Sequence, residues 1–310
     1  MKRSIDFVGK RKLFSIVSGV LILTSIITVF TQGLNLGIDF SGGSLIEFKV
    51  NKERSIEDIR KSLTDAGLKG FSLQEFGAKD EFLVRLSEKI SDTSKAEVIT
   101  KNIGAELRRL EYVGPQIGEE LAEKGILATL FSLIAILAYV SARFQLRFAL
   151  GAVIALFHDV ALTMGVFAIT GREFSLPVLA AILTIIGYSL NDTIVVYDRI
   201  REEMENTDKD KLKDKNVFAE IINFSINKTL KRTLMTSLTT LVVLLSLYLF
   251  GGQSINGFAF TLLFGVVVGT YSSIFVASPV LIYLNFLAPK DKIQNQEVED
   301  LSRFNKFSDD

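Results

Sequence analysis

A chain of 310 residues has room for one or two domains, and with 48% hydrophobic residues and a mean hydropathy of +0.35 it leans toward a membrane protein. The formal net charge is zero, so no global field favours nucleic acid or an acidic ligand, and only the distribution of charge is informative. The lack of cysteine excludes disulfides, thiolate metal sites and cysteine nucleophiles, and the single histidine, His158, argues against a histidine-built zinc site.

A hydrocarbon core of about 30 Å takes about 20 mostly apolar helical residues to cross. Residues 1–12 form a basic leader with Lys2, Arg3, Lys10, Arg11 and Lys12, and LFSIVSGVLILTSIITVFT (13–31) is the first stretch that qualifies. Its apolar run is too long for the core of a signal peptide and no A-x-A site follows, so it reads as an anchor.

Residues 32–122 then read as a small α+β domain. SLIEFKV (44–50) alternates as a strand, and SIEDIRKSLTDAGL (55–68) starts at a serine N-cap and ends at Gly67. FSLQEF (71–76) and EFLVRLS (81–87) flank a hairpin turn at 77–80. SKAEVITKNIGAELRRL (94–110) carries a helical pattern and leaves a short last strand at 111–113. The order β-α-β-β-α-β predicts a ferredoxin-like sheet.

Five more spans follow, at about 123–142, 146–170, 174–198, 230–250 and 258–287, so the expected fold is a polytopic α-helical membrane protein with six transmembrane helices and one inserted domain. Charge orients it. Besides the leader, Arg143 and Arg147 lie in the turn after the second span. The 199–229 connection holds Arg199, Arg201, Lys209, Lys211, Lys213, Lys215 and Lys228, and the tail 288–310 adds Lys290, Lys292, Arg303 and Lys306. The alternate loops GRE (171–173) and GGQSING (251–257) hold one arginine and none. Cytoplasmic loops carry the excess of Lys and Arg, which predicts both termini in the cytoplasm and residues 32–122 outside.

Against this apolar background a few polar side chains stand out. In IIGYSLNDTIVVYDRIREEM (185–204), Asp192 lies inside the fourth span, and Thr184, Tyr188 and Asp192 share one helix face with Ser189 and Asn191 beside them. A carboxylate in hydrocarbon costs roughly 2.5–3.5 kcal/mol on insertion scales. The fifth span opens LKRTLMTSLTTL, where Arg232, Thr236 and Thr239/Thr240 form a matching stripe. Asp192 and Arg232 fall at similar depth, which predicts that the two charges pair. The third span contributes His158 and Asp159, the latter on a face with Gly151, Ala155 and Thr163, and the sixth has a small-residue ridge at Gly265, Gly269 and Ser273. No P-loop, Ser–His–Asp order or hydrolytic acid pair is present, so the chain is not read as an enzyme, and energy must come from a gradient or a partner. A carboxylate that alternates between an ion pair and a bound proton gives the surrounding helices two favoured packings. A gradient biases such a switch by about 2.3 kcal/mol per charge per 100 mV.

GIDFSGG (37–43), VGPQIGEEL (113–121), FHDV (157–160), GYSLNDTIVVYDRIRE (187–202) and LKRTLMTSLTT (230–240) together resemble the SecF family, the membrane subunits of the SecD–SecF protein-export complex in the resistance–nodulation–division superfamily. The resemblance runs over nearly the whole chain, with the 187–202 and 230–240 motifs the most specific. It implies an auxiliary subunit in the bacterial plasma membrane, partnered with SecD and the SecYEG channel, that uses the proton-motive force to assist unfolded preproteins. No cofactor or metal is implied; the transported ion is H+ or, as in some relatives, Na+. The family's essential aspartate falls on Asp192 and its arginine on Arg232. His158 and Asp159 match a further motif, Asn191, Tyr188 and Thr236 support the polar face, and Gly37, Asp39, Gly42 and Gly43 belong to a structural signature, a hinge or packing element joining the first span to the domain. Two other readings stay open: an efflux transporter of lipids or small molecules from the same superfamily, and an assembly subunit in which Asp192 and Arg232 only fix helix register.

Overall fold

The computed structural model describes residues 5–287 apart from Gly77, Ala78, Glu88, Ser91 and Lys209. The first two residues of the predicted hairpin turn, Lys2 and Arg3 of the basic leader, Lys209 of the 199–229 connection and the tail 288–310 thus lie outside the described residues. Six helical segments are long and apolar enough to cross a membrane. They are α1 (Arg11–Gln32), α5 (Pro115–Arg143), α6 (Leu146–Thr170), α7 (Leu176–Glu205), α8 (Lys215–Phe250) and a composite last span. That span joins α9 (Asn256–Ser272) through a π-turn at Ser273–Ala277 to α10 (Ser278–Leu287). Between α1 and α5 lie β1 (Asn35–Leu36), α2 (Ile38–Ser41), β2 (Gly43–Val50), α3 (Ile56–Asp65), β3 (Phe71–Glu75), β4 (Glu81–Leu86), α4 (Thr93–Asn102) and β5 (Ala105–Val113).

Two helices begin earlier than hydropathy suggests. Pro115 pre-sets the backbone at the start of α5. Helix α8 is capped by the Asp214 carboxylate, which accepts from the Asn216 amide at 2.8 Å. Its first turns are polar outside, but Phe218, Ile222, Ser225 and Ile226 form a buried stripe at helical spacing, a signal that a search for apolar runs passes over.

The inserted domain is a four-stranded antiparallel sheet in the order β3-β4-β2-β5, the arrangement of a ferredoxin-like split βαβ. Ile59 and Leu63 of α3 and Ala96 of α4 close one face over Ile46, Phe48, Phe82 and Val84. One predicted element changes type. The helix expected over 94–110 ends at Asn102, Gly104 turns the chain at φ +70, and residues 105–113 pair with β2. Leu107 and Leu110 oppose Phe48 and Ile46, while Arg109 opposes Glu47, which leaves Arg108 as an extra residue in a β-bulge. The bulge puts apolar residues three apart on one face of a strand, so Ile103, Leu107 and Leu110 imitate helical spacing.

In the membrane bundle, α6, α7 and α9 form the buried centre, and α1, α5 and α8 turn most of their surface outward. Missing side chains set the close crossings. A Cβ on Gly265 would lie 2.1 Å from Ile185 of α7, and one on Gly165 would lie 2.2 Å from Ser25 of α1. Ala277, the last residue of the π-turn, accepts a 3.0 Å hydrogen bond on its carbonyl from the wholly buried Tyr197 hydroxyl.

The domain is fastened to the bundle through the α6–α7 loop, where β6 (Glu173–Phe174) pairs in parallel with β1. Gly42 and Gly43 hold φ of +68 and +126, and a Cβ there would lie 2.8 Å from Pro115 Cα and 2.4 Å from the Leu86 carbonyl. Ile38 of α2 meets Leu45 and Leu83 on the sheet face away from the helices. Arg172, the one arginine of the two short loops 171–173 and 251–257, donates to the Tyr248 hydroxyl and to Asn256 Oδ1, both at 3.1 Å, and covers the Phe260 ring at 4.2 Å.

Candidate functional site

Helix α7 carries two rows of polar side chains. Ser189, Asp192 and Thr193 face the bundle and are buried, Tyr188 is half-buried, and Thr184 and Asn191 are exposed. Across from them the inward row of α8 is Thr233, Ser237 and Leu244. The predicted stripe, Arg232 and Thr236, lies one position off that row and is exposed. Successive helical residues are about 100° apart, so a one-residue difference in phase moves a side chain from the interior to the outer surface.

Asp192 therefore does not form the expected ion pair. It is 2% exposed, and its Oδ2 accepts from the Ser237 hydroxyl at 3.5 Å. Ser237 Oγ also lies 2.6 Å from Thr270 Oγ1 of α9, and Thr270 reaches the same carboxylate. Among the described residues Asp192 takes part in no ion pair, and Arg232 acts on it only through space. The Asp192 carboxylate sits at the meeting of α7, α8 and α9 with hydroxyls for partners. Hydroxyls can both donate and accept, so they serve the charged and the protonated acid alike.

Asp159 has a different setting. It is wholly buried, and Oδ2 accepts from Ser189 of α7 at 2.5 Å and Ser272 of α9 at 2.7 Å. Oδ1 lies 2.9 Å from Nδ1 of the neighbouring His158, which donates in the tautomer with its proton there. The His158 ring stacks on Tyr271 with centroids 5.9 Å apart, and the Tyr271 hydroxyl lies 2.9 Å from Ser18 Oγ of α1. His158 Nε2 is buried without a partner among the described residues. One acid thus ties α6, α7 and α9 together with three short contacts.

The remaining predicted residues divide by location. Tyr188 donates to Thr240 at 3.3 Å, joining α7 to α8. Thr236 bonds only backbone carbonyls of its own helix, and Asn191 makes no side-chain hydrogen bond among the described residues. Together with Arg232 and Thr184 they leave a polar face open sideways at membrane depth. Gly37, Asp39, Gly42 and Gly43 lie together at the domain junction, far along α7 from Asp192. Sequence reading missed Ser237, Thr270 and Ser272, whose hydroxyls contact the two acids; nothing local marks them among the many Ser and Thr of these helices. No group of three or more His, Asp or Glu that could hold a metal occurs among the described residues.

Comparison with known proteins adds a family. The family described as "Protein export membrane protein SecD/SecF, C-terminal" matches residues 94–286, and "SecD/SecF GG Motif" matches residues 27–53. Protein translocase subunit SecF of Calditerrivibrio nitroreducens is 49% identical over 91% of this chain and 94% of its own. The SecF of Magnetococcus marinus is 50% identical over 90% and 92%, and that of Vibrio alginolyticus 44% over 96% and 95%. Among solved structures, SecDF from Thermus, a translocon-associated membrane protein, superposes with a TM-score of 0.82 at 37% identity, covering 92% of this chain and 39% of that one. SecDF in a super-membrane-facing form gives 0.67 at 36% identity, over 97% of this chain and 40% of that one. The chain spans about two-fifths of those SecDF chains.

Proposed function

Since the chain belongs to the SecD/SecF family, as a SecF-type translocase subunit and a transport component rather than an enzyme, we propose that it works beside a SecD chain to turn an ion gradient into preprotein movement. Asp192 is the switch. It loses and regains a proton as the gradient is used, and Arg232 supplies the compensating charge when α8 rotates or when the partner closes the site. Asp159 and His158 are the pin that holds α6, α7 and α9 in register around it.

One observation carries this reading: a buried carboxylate held only by hydroxyls, beside a polar face that opens sideways. Polar and charged groups are too costly to leave against lipid, so a second membrane chain covers Asn191, Thr184, Arg232 and Thr236. The length comparison supports the same view, since this chain corresponds to part of SecDF. The two SecDF forms are equally similar in sequence to this chain yet differ in their fit, which supports a fold with more than one arrangement. The excess of Lys and Arg on the side of the termini supports a bacterial plasma-membrane protein with both termini in the cytoplasm and residues 32–122 outside, where they meet the chain leaving the SecYEG channel.

The test is preprotein uptake into inverted vesicles holding the complete translocase, with and without an imposed pH gradient. Wild type responds to the gradient; Asp192→Asn assembles with SecD in normal yield and shows no response. A gradient response in assembled Asp192→Asn returns Asp192 to a structural role. Replacing the pH gradient by a sodium gradient in the same vesicles identifies the ion.

A further inference from the structure

Helix α7 has an unusual N-terminus. Its N-cap, Ser175, supplies no side-chain hydrogen bond, and Pro177 has no N–H to offer. The cap comes from elsewhere in the chain: Asp39 Oδ2 accepts from the Leu176 amide at 2.8 Å. A carboxylate there satisfies an orphan amide and faces the positive end of the helix dipole.

The residues around this cap leave little slack. Gly37 donates to the Phe174 carbonyl at 2.9 Å, and Asn35 Nδ2 to the Gly171 carbonyl at 2.9 Å. Gly37 passes so close that a Cβ would lie 2.7 Å from Glu173 Oε1. Arg85, on strand β4 of the domain, pairs with Glu173 of the loop. Asp39 sits four residues before Gly43, where β2 begins, so the cap and the domain's sheet share one short segment. On the far side of the loop, Arg172 is held by Tyr248, Asn256 and Phe260.

We propose that the α6–α7 loop is a clamp that passes displacement of the 32–122 domain to α7, with Asp39 as its positioning residue. Asp192 lies sixteen residues beyond Leu176 on one unbroken helix, about 24 Å along its axis. A tilt or turn imposed at the capped end reaches the acid without any relay of side chains, and a change in packing at Asp192 reaches the domain by the same rod. The inference rests on Asp192 being the gradient switch, so the experiment keeps the two apart.

Three variants are measured in the full complex: Asp39→Ala, Arg85→Glu, and Arg85→Glu combined with Glu173→Arg. Two readouts are taken, hydrogen exchange in the first turn of α7 and uptake of preprotein with and without a gradient. Loss of a typical cap corresponds to roughly fivefold faster exchange at Leu176. Asp39→Ala shows that acceleration and loses most of the gradient-dependent uptake while uptake without a gradient is kept. Arg85→Glu loses gradient-dependent uptake, and adding Glu173→Arg restores it, which rescues the result even where Asp39→Ala folds poorly. Faster exchange with wild-type gradient response, or an unrescued charge swap, overturns the clamp while leaving the Asp192 reading intact. Absence of any gradient response in wild type removes both.

Discussion

Asp159→Ala would strip three helices of their common acceptor. The Ser189 hydroxyl and the Nδ1 of His158 would be left without their partner in a site at most 1% exposed, while Ser272 would keep only the Gly269 carbonyl at 3.1 Å. Hydrogen bonds inside membrane bundles average about 0.6 kcal/mol by double-mutant cycles, so three give roughly 2 kcal/mol at the least. Donors orphaned in a fully buried site cost about 1–3 kcal/mol each, which sets the upper range several kcal/mol higher. That is a large part of a typical stability of about 5–15 kcal/mol. Asp192→Ala, by contrast, removes a carboxylate whose hydrogen bond from Ser237 is 3.5 Å long, and the Ser237 and Thr270 hydroxyls keep each other at 2.6 Å. Its expected cost is below about 1 kcal/mol. The assay is thermal unfolding and size-exclusion profile of the purified SecD-bound complex in detergent, with wild type, both alanine variants and Asp159→Asn side by side. Asp159→Asn is expected between wild type and Asp159→Ala, since its amide oxygen still accepts from two hydroxyls. The predicted order is a folded, inactive Asp192→Ala and a poorly assembled Asp159→Ala. The reverse order, with Asp159→Ala stable and Asp192→Ala unfolded, would refute the division into pin and switch.

Two further outcomes are expected. Gly43→Ala meets both a positive φ and the Leu86 carbonyl at 2.4 Å, so the domain should lose its ordered sheet, seen as protease cleavage within 32–122, whereas alanine at Gly187, with nothing within 4 Å, should be tolerated. Glu173 is held above the ordinary carboxylate range by burial, opposed by Arg85 of β4 and reinforced by Asp39 of α2 and Glu111 of β5. A carboxylate with a raised pKa binds its proton more tightly in the clamped state than when solvated, so clamping is favoured by acid and weakens as pH rises through the raised value. Exchange at Leu176, corrected for the intrinsic rate, should therefore slow as the pH on the domain side falls through that raised value, and Glu173→Gln should flatten the profile; a slope of opposite sign counts against it.

Much of the architecture is legible in single stretches of sequence. Six apolar runs, one long polar insertion and a lopsided distribution of Lys and Arg follow from the solubility of each segment in hydrocarbon, which is local and nearly additive along the chain. The ferredoxin-like order of the domain was readable too, except where the bulge at Arg108 gave a strand the apolar spacing of a helix. Asp192 and Asp159 declared themselves because a carboxylate inside a span is costly wherever it points.

What the tertiary structure decided was direction and partnership. Arg232 and Thr233 are neighbours in the chain, yet one is exposed and the other buried, because the facing helices choose the phase of α8 and no local pattern does. The partners of the two acids, Ser237 and Thr270 for one and Ser189 and Ser272 for the other, come from helices whose contacts depend on glycine-sized gaps at Gly265 and Gly269. Asp39 meets Leu176 across 137 positions of sequence. Burial energy is summed segment by segment and can be read from composition, but a hydrogen bond exists only where two distant segments arrive at one point with the right rotation, and that is settled when the helices pack.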